Sequence, residues 1–474
     1  MESIEDYILR ITRLANRNKE LNEQLQDLVG RYELIQHQNE KYLNLLSKYS
    51  YEEIEERLKP PKRRVKRFRM ASILFASVHG FDRLHTHHNP QGLIDALDEL
   101  HLLMDDIAKK YNILRVKIIG DTFLYAGGIL EENRTNPIDV VIAALEMQQA
   151  VAKCTINGDK EAFWKLSIGI HTGPVLGEPT GKKGSPFKLT GESVNIASRL
   201  GMACQQGKIN LSVMTYELVK EFFSMSHWGC MPVKYKGMLD MFYADGILTE
   251  LTEEEDRNLP NKSFNTKYAL IQFMDIQEEL LDLLEQKLPE NLYYHNVKHT
   301  IDVTTEVELI GWAEKLSEED ILLLKVAALF HDSGHIIDYK KHEEYGAKIA
   351  KETLMHYNYT QDQIDTICRL IMSTQFPPEP KDELEQVICD SDLDYLGRSD
   401  FIPVSNTLYK ELKEREMIGT IDEWNLKQLH FIEKHQYFTE TARNLREVNK
   451  QSQIDRLKKI LEETKKTNDV KSSN

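Results

Sequence analysis

The sequence predicts a multidomain chain: an N-terminal coiled coil, then an α+β domain, then an all-α domain. Three observations predict it. A heptad of apolar residues runs through the first fifty positions. Strand and helix patterns then alternate from about Arg67 to Ile247. Beyond residue 261 the strand pattern disappears and one helical pattern follows another.

With 474 residues the chain is too long for a single core and suits two or three domains. Hydrophobic residues make up 41% and charged residues 29%, the balance of a soluble globular protein. A net charge of −16 opposes binding to nucleic-acid backbones, so no nucleic-acid partner is expected. The basic run Lys62, Arg63, Arg64, Lys66, Arg67, Arg69 reads as a solvated linker. Five scattered cysteines without a CxxC pair argue for a reducing compartment and against a disulfide or cysteine–zinc framework. The longest apolar run, Ile321 to Phe330, is interrupted by Lys325, and the polar N-terminus lacks a signal pattern. The expectation is a cytoplasmic protein with no membrane partner.

The coil is assigned to residues 1–50. Its a and d positions, from Ile4 and Tyr7 to Leu46 and Tyr49, are apolar except Asn18 and Asn39, both at a. Polar Asn at a favours a two-stranded parallel coil, hence a homodimer. Pro60 and Pro61 end any continuing helix, which makes 51–66 a linker.

The α+β domain is assigned to 67–247. Ala71 to Val78 reads as a strand and Gln91 to Lys110 as an amphipathic helix. Two strands bracket Gly120-Asp121 as a hairpin. Pro137 to Ala152 reads as a helix, Phe163 to Ile170 as a strand, and Gly173 to Lys188 as a Gly/Lys-rich loop. A linker and helix fill 248–284. An all-α domain spans 285–440, and a helix with a disordered polar tail, from Lys465, closes 441–474.

The all-α part carries metal-ligand residue types. His295 and His299 stand at i and i+4, which on a helix puts both on one face. Asp302, one turn on, is placed to hold a histidine ring. His331-Asp332 ends an apolar helix, and a buried His–Asp pair is costly unless partnered or metal-bound. His335 and Asp392 complete the set. Imidazole and carboxylate without thiolate suit Mg²⁺, Mn²⁺, Fe²⁺ or Zn²⁺.

Taken together, Tyr294-His295-Asn296-x-x-His299-x-x-Asp302, His331-Asp332-x-x-His335 and Ser391-Asp392-Leu393 resemble the motifs of class I cyclic-nucleotide phosphodiesterases within the HD phosphohydrolases. The resemblance implies that His299, His331, Asp332 and Asp392 hold a first divalent metal. It implies that Asp332 bridges to a second, with His335 nearby, and that His295 is the general acid. Gln428-x-x-Phe431 resembles a purine clamp. His342-Glu343 looks more like the general bacterial HD pattern, so the nucleotide hydrolysed stays open.

The α+β part resembles class III adenylate and guanylate cyclases. Phe75 to Phe81, Lys117 to Asp121, Ile168 to Val175, Gly191 to Arg199 and Lys234 to Gly237 carry the likeness. It implies a nucleotide site of Lys117, Asp121, Lys188, Asn195, Arg199 and Lys236. Ser77 stands where the family has its second metal carboxylate, and a neutral hydroxyl is a poor Mg²⁺ ligand. Lys188 stands where Lys117 would have an acidic partner, so two lysines would repel at the base pocket unless a ligand sits between them.

The resulting expectation is an HD hydrolase of cAMP or cGMP with two divalent ions, regulated by a purine nucleotide on a cyclase-like domain that no longer cyclises. The alternatives are a bifunctional cyclase and phosphodiesterase, an HD hydrolase of another nucleotide, and a catalytically silent signalling scaffold.

Overall fold

A computed structural model describes residues 65–80, 90–154, 164–182, 185–233, 237–254 and 259–472, together with the single position Gln36. The coiled coil expected over 1–50 and most of the linker lie outside the described residues.

The first part is a mixed sheet with helices packed on it. Its elements are β1 (Lys66–His79), α1 (Pro90–Lys110), β2 (Leu114–Ile119), β3 (Thr122–Gly127), α2 (Asn136–Ala152), β4 (Lys165–Lys182), β5 (Ser185–Thr190), α3 (Glu192–Ala203), β6 (Lys208–Ser212), α4 (Val213–Val219), β7 (Phe223–Val233) and β8 (Gly237–Ile247). The strand order is β2-β3-β1-β4-β6-β8-β7, with β5 also pairing β4. Only β4–β6 is parallel among these pairs. Gly120 and Asp121 make the two-residue turn between β2 and β3, and Gly120 sits at φ 60°, the left-handed conformation such a turn requires.

The segment expected as a Gly/Lys-rich loop is instead strand. β4 runs on to Lys182, and β5 folds back onto it with Leu176 opposite Thr190 and Glu178 opposite Lys188. The glycines mark close packing rather than loose chain. A Cβ on Gly177 would lie 2.8 Å from the Phe68 ring, and one on Gly169 would lie 2.1 Å from the backbone nitrogen of Gly201. That second contact seats α3 directly on β4.

The second part is helical: α5 (Lys262–Lys287), α6 (Val297–Ala313), α7 (Glu318–Phe330), a 3₁₀ turn (Ser333–Ile336), α8 (His342–Leu354), α9 (Gln361–Ser373), α10 (Glu383–Asp392), α11 (Phe401–Glu414), α12 (Ile421–Lys434) and α13 (Glu440–Ser472). The C-terminal stretch expected as a disordered tail continues α13 to Ser472, because no Pro or Gly interrupts it. At the heart of this part is α7, with nine of its thirteen residues buried.

One helix belongs to both cores. Phe264 of α5 packs among Phe222 and Phe223 of the sheet domain, whereas Phe273, Ile276, Leu280 and Leu284 lie in the helical core. Tyr268 donates to Asp139 Oδ1 at 2.8 Å, and Arg134 pairs with Asp275 and Glu278. Among the described residues no helix is long and apolar enough to cross a membrane.

Candidate functional site

Helix ends aim the metal-ligand side chains at one point. The side chain of Asn296 accepts from the backbone N–H groups of Lys298 and His299 and so starts α6 at Val297. His299 therefore sits in the first turn. His295, expected on the same helix, precedes the cap instead, and its ring still reaches to 6.0 Å from that of His299. Burial of α7 carries its C-terminal end into the interior. There His331 Nδ1 donates to Ala328 O at 2.7 Å, which turns Nε2 towards the carboxylates.

Asp332 follows, then the 3₁₀ turn bearing His335. A Cβ on Gly334 would fall 1.9 Å from His342 O, and this close approach lets the His342 ring stack on His335 at 4.0 Å. Asp392 ends α10. Just beyond it, Arg446 binds Asp394 and Glu306, which ties down the chain after the ligand.

His299 Nε2 lies 3.1 Å from Asp392 Oδ1 and 3.5 Å from Asp332 Oδ2. His331 Nε2 lies 3.3 Å from Asp332 Oδ2, 3.4 Å from His299 Nε2 and 3.5 Å from Asp392 Oδ1. Ligand atoms held about 2.0–2.2 Å from one ion are separated by roughly 3.0–3.5 Å, so these four side chains fit a single divalent cation. The other oxygen of Asp332, Oδ1, faces His342 Nε2 at 3.6 Å and His335 Nε2 at 3.8 Å. One ligand atom each from His295, Asp332 and His335 lies within 4.8 Å of the others, a second group able to hold a cation. Both nitrogens of buried His335 lack a hydrogen-bond partner among the described residues, as befits a ring awaiting an electrophile.

Asp302 does not hold a histidine. It pairs with Lys298 at 2.5 Å and Arg398 at 3.0 Å, because α6 turns it towards the cationic side.

The charges are strongly coupled. Burial opposes the carboxylate form of Asp332 and Asp392, but the neighbouring histidines overcome it and hold both below the usual range. Burial likewise opposes charged His331, and Asp332 with Asp392 reverses that and raises it. His335 is pushed down to about 3, first by burial, so it is a neutral imidazole with a lone pair to give.

Glu411 is the functional residue that sequence reasoning missed. Fully buried, it accepts from the His295 ring at 2.6 Å, from the backbone N–H groups of Tyr294 and His295, and from Tyr339 Oη at 2.9 Å. Burial works against charging His295, yet Asp332 and Glu411 together raise it above its ordinary value. No motif marks Glu411. Its only signal is an acidic residue on the inner face of an amphipathic helix.

A cavity of about 490 Å³ opens beside this cluster. His295, Asp332 and Asp392 line one end, and Phe376, Trp424 and Phe431 line the apolar wall. Gln428 is buried there with Oε1 unpartnered, one helical turn from Phe431.

The sheet domain gathers its candidate residues less tightly. Ser77 pairs with Thr122 across β1–β3 and Val78 N donates to Asp121 O at 2.9 Å, which puts Ser77 beside Asp121 at one sheet end. Asn195 and Arg199 stand one turn apart on α3. Lys117, Asp121, Lys188, Asn195 and Arg199 are all exposed. The repulsion expected between Lys117 and Lys188 is eased, because Lys188 pairs with Glu178 at 3.8 Å across the β4–β5 hairpin. Lys236 lies outside the described residues.

Residues 64–246 match the family described as adenylate and guanylate cyclase catalytic domain, and residues 296–396 match the HD domain family. An adenylate cyclase of Mycobacterium tuberculosis is 28% identical over 195 residues, covering 41% of this chain and 44% of that protein. Guanylate cyclase 2G of Rattus norvegicus is 29% identical over 197 residues, covering 40% and 18%. The chain thus spans less than half the length of these curated relatives. A guanylate cyclase domain from Catenaria anguillulae in complex with GTP aligns over 39% of this chain and 100% of its own, at 24% identity and a TM-score of 0.35. The adenylyl cyclase CyaB of P. aeruginosa aligns over 38% and 95%, at 22% identity and 0.33.

Proposed function

We propose that this chain, which carries an adenylate/guanylate cyclase-type domain followed by an HD domain, hydrolyses a cyclic purine mononucleotide at the HD site. The observation that carries the reading is the placement of Asp332. One of its oxygens faces His299 and His331 while the other faces His335 and His342. A shared carboxylate between two ligand groups suits a two-metal hydrolase.

Divalent ions bound there would lower the pKa of a water and neutralise phosphoryl oxygens. The chain's own residues then do the following. His299, His331, Asp332 and Asp392 would hold an ion beside the cavity mouth. As the water oxygen bonds to phosphorus, the bond from phosphorus to the ribose 3′ oxygen breaks. His295, held charged against Glu411, delivers a proton to that leaving oxygen and is recharged by solvent. Gln428 offers its unpartnered carbonyl to an N–H on the base edge, and Phe431 offers a ring face.

In this reading the sheet domain is the regulator. Lys117, Asp121, Lys188, Asn195, Arg199 and Lys236 bind a purine nucleotide between two subunits of a homodimer. Its ligand acts on hydrolysis only through differential affinity for two states. The test is hydrolysis of a panel of cyclic mononucleotides with Mn²⁺. Release of a 5′-monophosphate supports the reading, and inertness towards the whole panel contradicts it.

A second reading, a bifunctional cyclase and hydrolase, is favoured by Asp121, Asn195 and Arg199 and by the 28% identity to an adenylate cyclase. Incubation with ATP or GTP and Mn²⁺ separates the two. Cyclic product that disappears in Asp121→Ala would establish the second.

A further inference from the structure

The junction of the two domains holds a cavity of about 640 Å³, large enough for a small organic molecule. Asp139 and Tyr111 line it from the sheet domain, Tyr268 and Gln272 from α5, and Tyr359 from the helical domain. Two of these side chains are nine-tenths buried and carry polar atoms with no partner among the described residues: Gln272 Oε1 and Tyr359 Oη. Buried polar atoms are rarely left this way, and two of them on residues that line one cavity call for a partner.

The chemistry of the lining selects that partner. Asp139 receives the Tyr268 hydroxyl, which does not neutralise a carboxylate, and no lysine or arginine among the described residues pairs with it. The two lysines of the lining are already engaged, Lys110 with Glu146 at 2.8 Å and Lys262 with Glu319 at 2.5 Å. Of the three carboxylates in the lining, Glu319 is matched by Lys262, which leaves Asp139 and Glu253 without a cationic partner among the described residues. Gln272 Oε1 adds an acceptor. The unmet demand is for N–H donors and positive charge. Tyrosine rings around the cavity favour a cation over an anion in the same way.

We propose that this interdomain cavity binds a small organic ammonium, whose N–H groups bridge Asp139 and Gln272 on one side and Tyr359 on the other. Burial pushes the Asp139 carboxyl up to about 7, the behaviour of a charge that lacks a counterion in its absence. The occupant would touch α5, the helix common to both cores, so its binding would be felt by both domains.

The inference does not depend on which reaction the HD site performs, and its test reads binding. Putrescine is titrated into the full chain by calorimetry at fixed ionic strength, with inorganic phosphate as the anionic control. Saturable heat from putrescine and none from phosphate is expected. Asp139→Asn and Tyr359→Phe should each weaken binding by about tenfold or more. Both changes conserve shape, and a melting curve for each variant establishes that it is folded. Absence of saturable heat up to about 10 mM putrescine overturns the proposal. So does binding that either variant leaves unchanged, or preferential binding of phosphate.

Discussion

The two halves of this chain treat their functional residues in opposite ways. In the helical domain His299, His331, Asp332, Asp392 and His335 converge with their ligand atoms a few ångströms apart, and Asp332 and Asp392 also line the adjoining cavity. In the sheet domain Lys117, Asp121, Asn195 and Arg199 stand exposed on a strand, a turn and a helix. A buried cluster of ionisable groups must be satisfied within the fold, so sequence, packing and chemistry constrain one another. An exposed set has no such constraint. One ligand position, Ser77, can lose its carboxylate without cost to the fold. This difference explains why the helical domain supports a definite catalytic reading and the sheet domain a regulatory one.

The largest effects should come from the buried cluster. Asp392→Ala removes a ligand of the first cation, and hydrolysis should fall by about a thousandfold or more, measured as product release with Mn²⁺. A loss under tenfold would mean the two sites differ less than their burial suggests.

His295→Asn should lower kcat by roughly 10²- to 10⁴-fold, the range of a lost general acid, while bound metal persists. If instead half of the metal is lost, His295 is a ligand of the second ion rather than the acid. Glu411→Gln should share the direction of this defect but be milder. It should also shift the alkaline limb of the kcat–pH profile to lower pH, because His295 would lose its anionic partner and hold its proton less tightly.

On the sheet domain the effects should be smaller and conditional. Arg199→Ala and Lys117→Ala should leave basal hydrolysis unchanged and abolish a nucleotide response of about 5- to 150-fold, the span of ordinary coupling energies. If GTP, ATP and cyclic nucleotides all leave the rate unaltered, the sheet domain is not a nucleotide sensor.

The smallest expected effect lies between the halves. The Asp139 carboxyl is raised to about 7 by burial, so its protonated form is the one the fold favours. Its contribution is present at low pH and is lost as pH rises from about 4 to 7. Asp139→Asn should therefore stabilise the protein by about 1–3 kcal/mol above pH 7 and by little near pH 4, read from denaturant melts at the two pH values. Equal effects at both would show that Asp139 is charged throughout.

Local signals were the legible ones. The β2–β3 hairpin followed from Gly120-Asp121, and the run Ile321 to Phe330 announced a buried helix. The candidate metal ligands were visible because His-Asp and spaced histidines are rare in an apolar context. What sequence spacing misjudged was where helices begin. The i, i+4 pattern put His295 on a helix, but Asn296 satisfies the first N–H groups and starts the helix after it. The strand character of β4 beyond Gly173 was hidden because a glycine such as Gly177 reflects packing against Phe68 and Phe187, contacts invisible along the chain. Glu411 and the Asp139–Tyr268 bond were equally hidden, being tertiary pairs 116 and 129 residues apart.

The most direct test of the account is the divalent metal content of the purified chain and of Asp332→Ala, measured alongside hydrolysis before and after chelation. If Asp332 joins two ligand groups, the wild type should hold about two ions per chain and lose its activity to chelator. Asp332→Ala should then hold few or none and remain inactive when Mn²⁺ is restored. A wild-type chain without bound divalent metal, hydrolysing at a rate the chelator does not change, would contradict it.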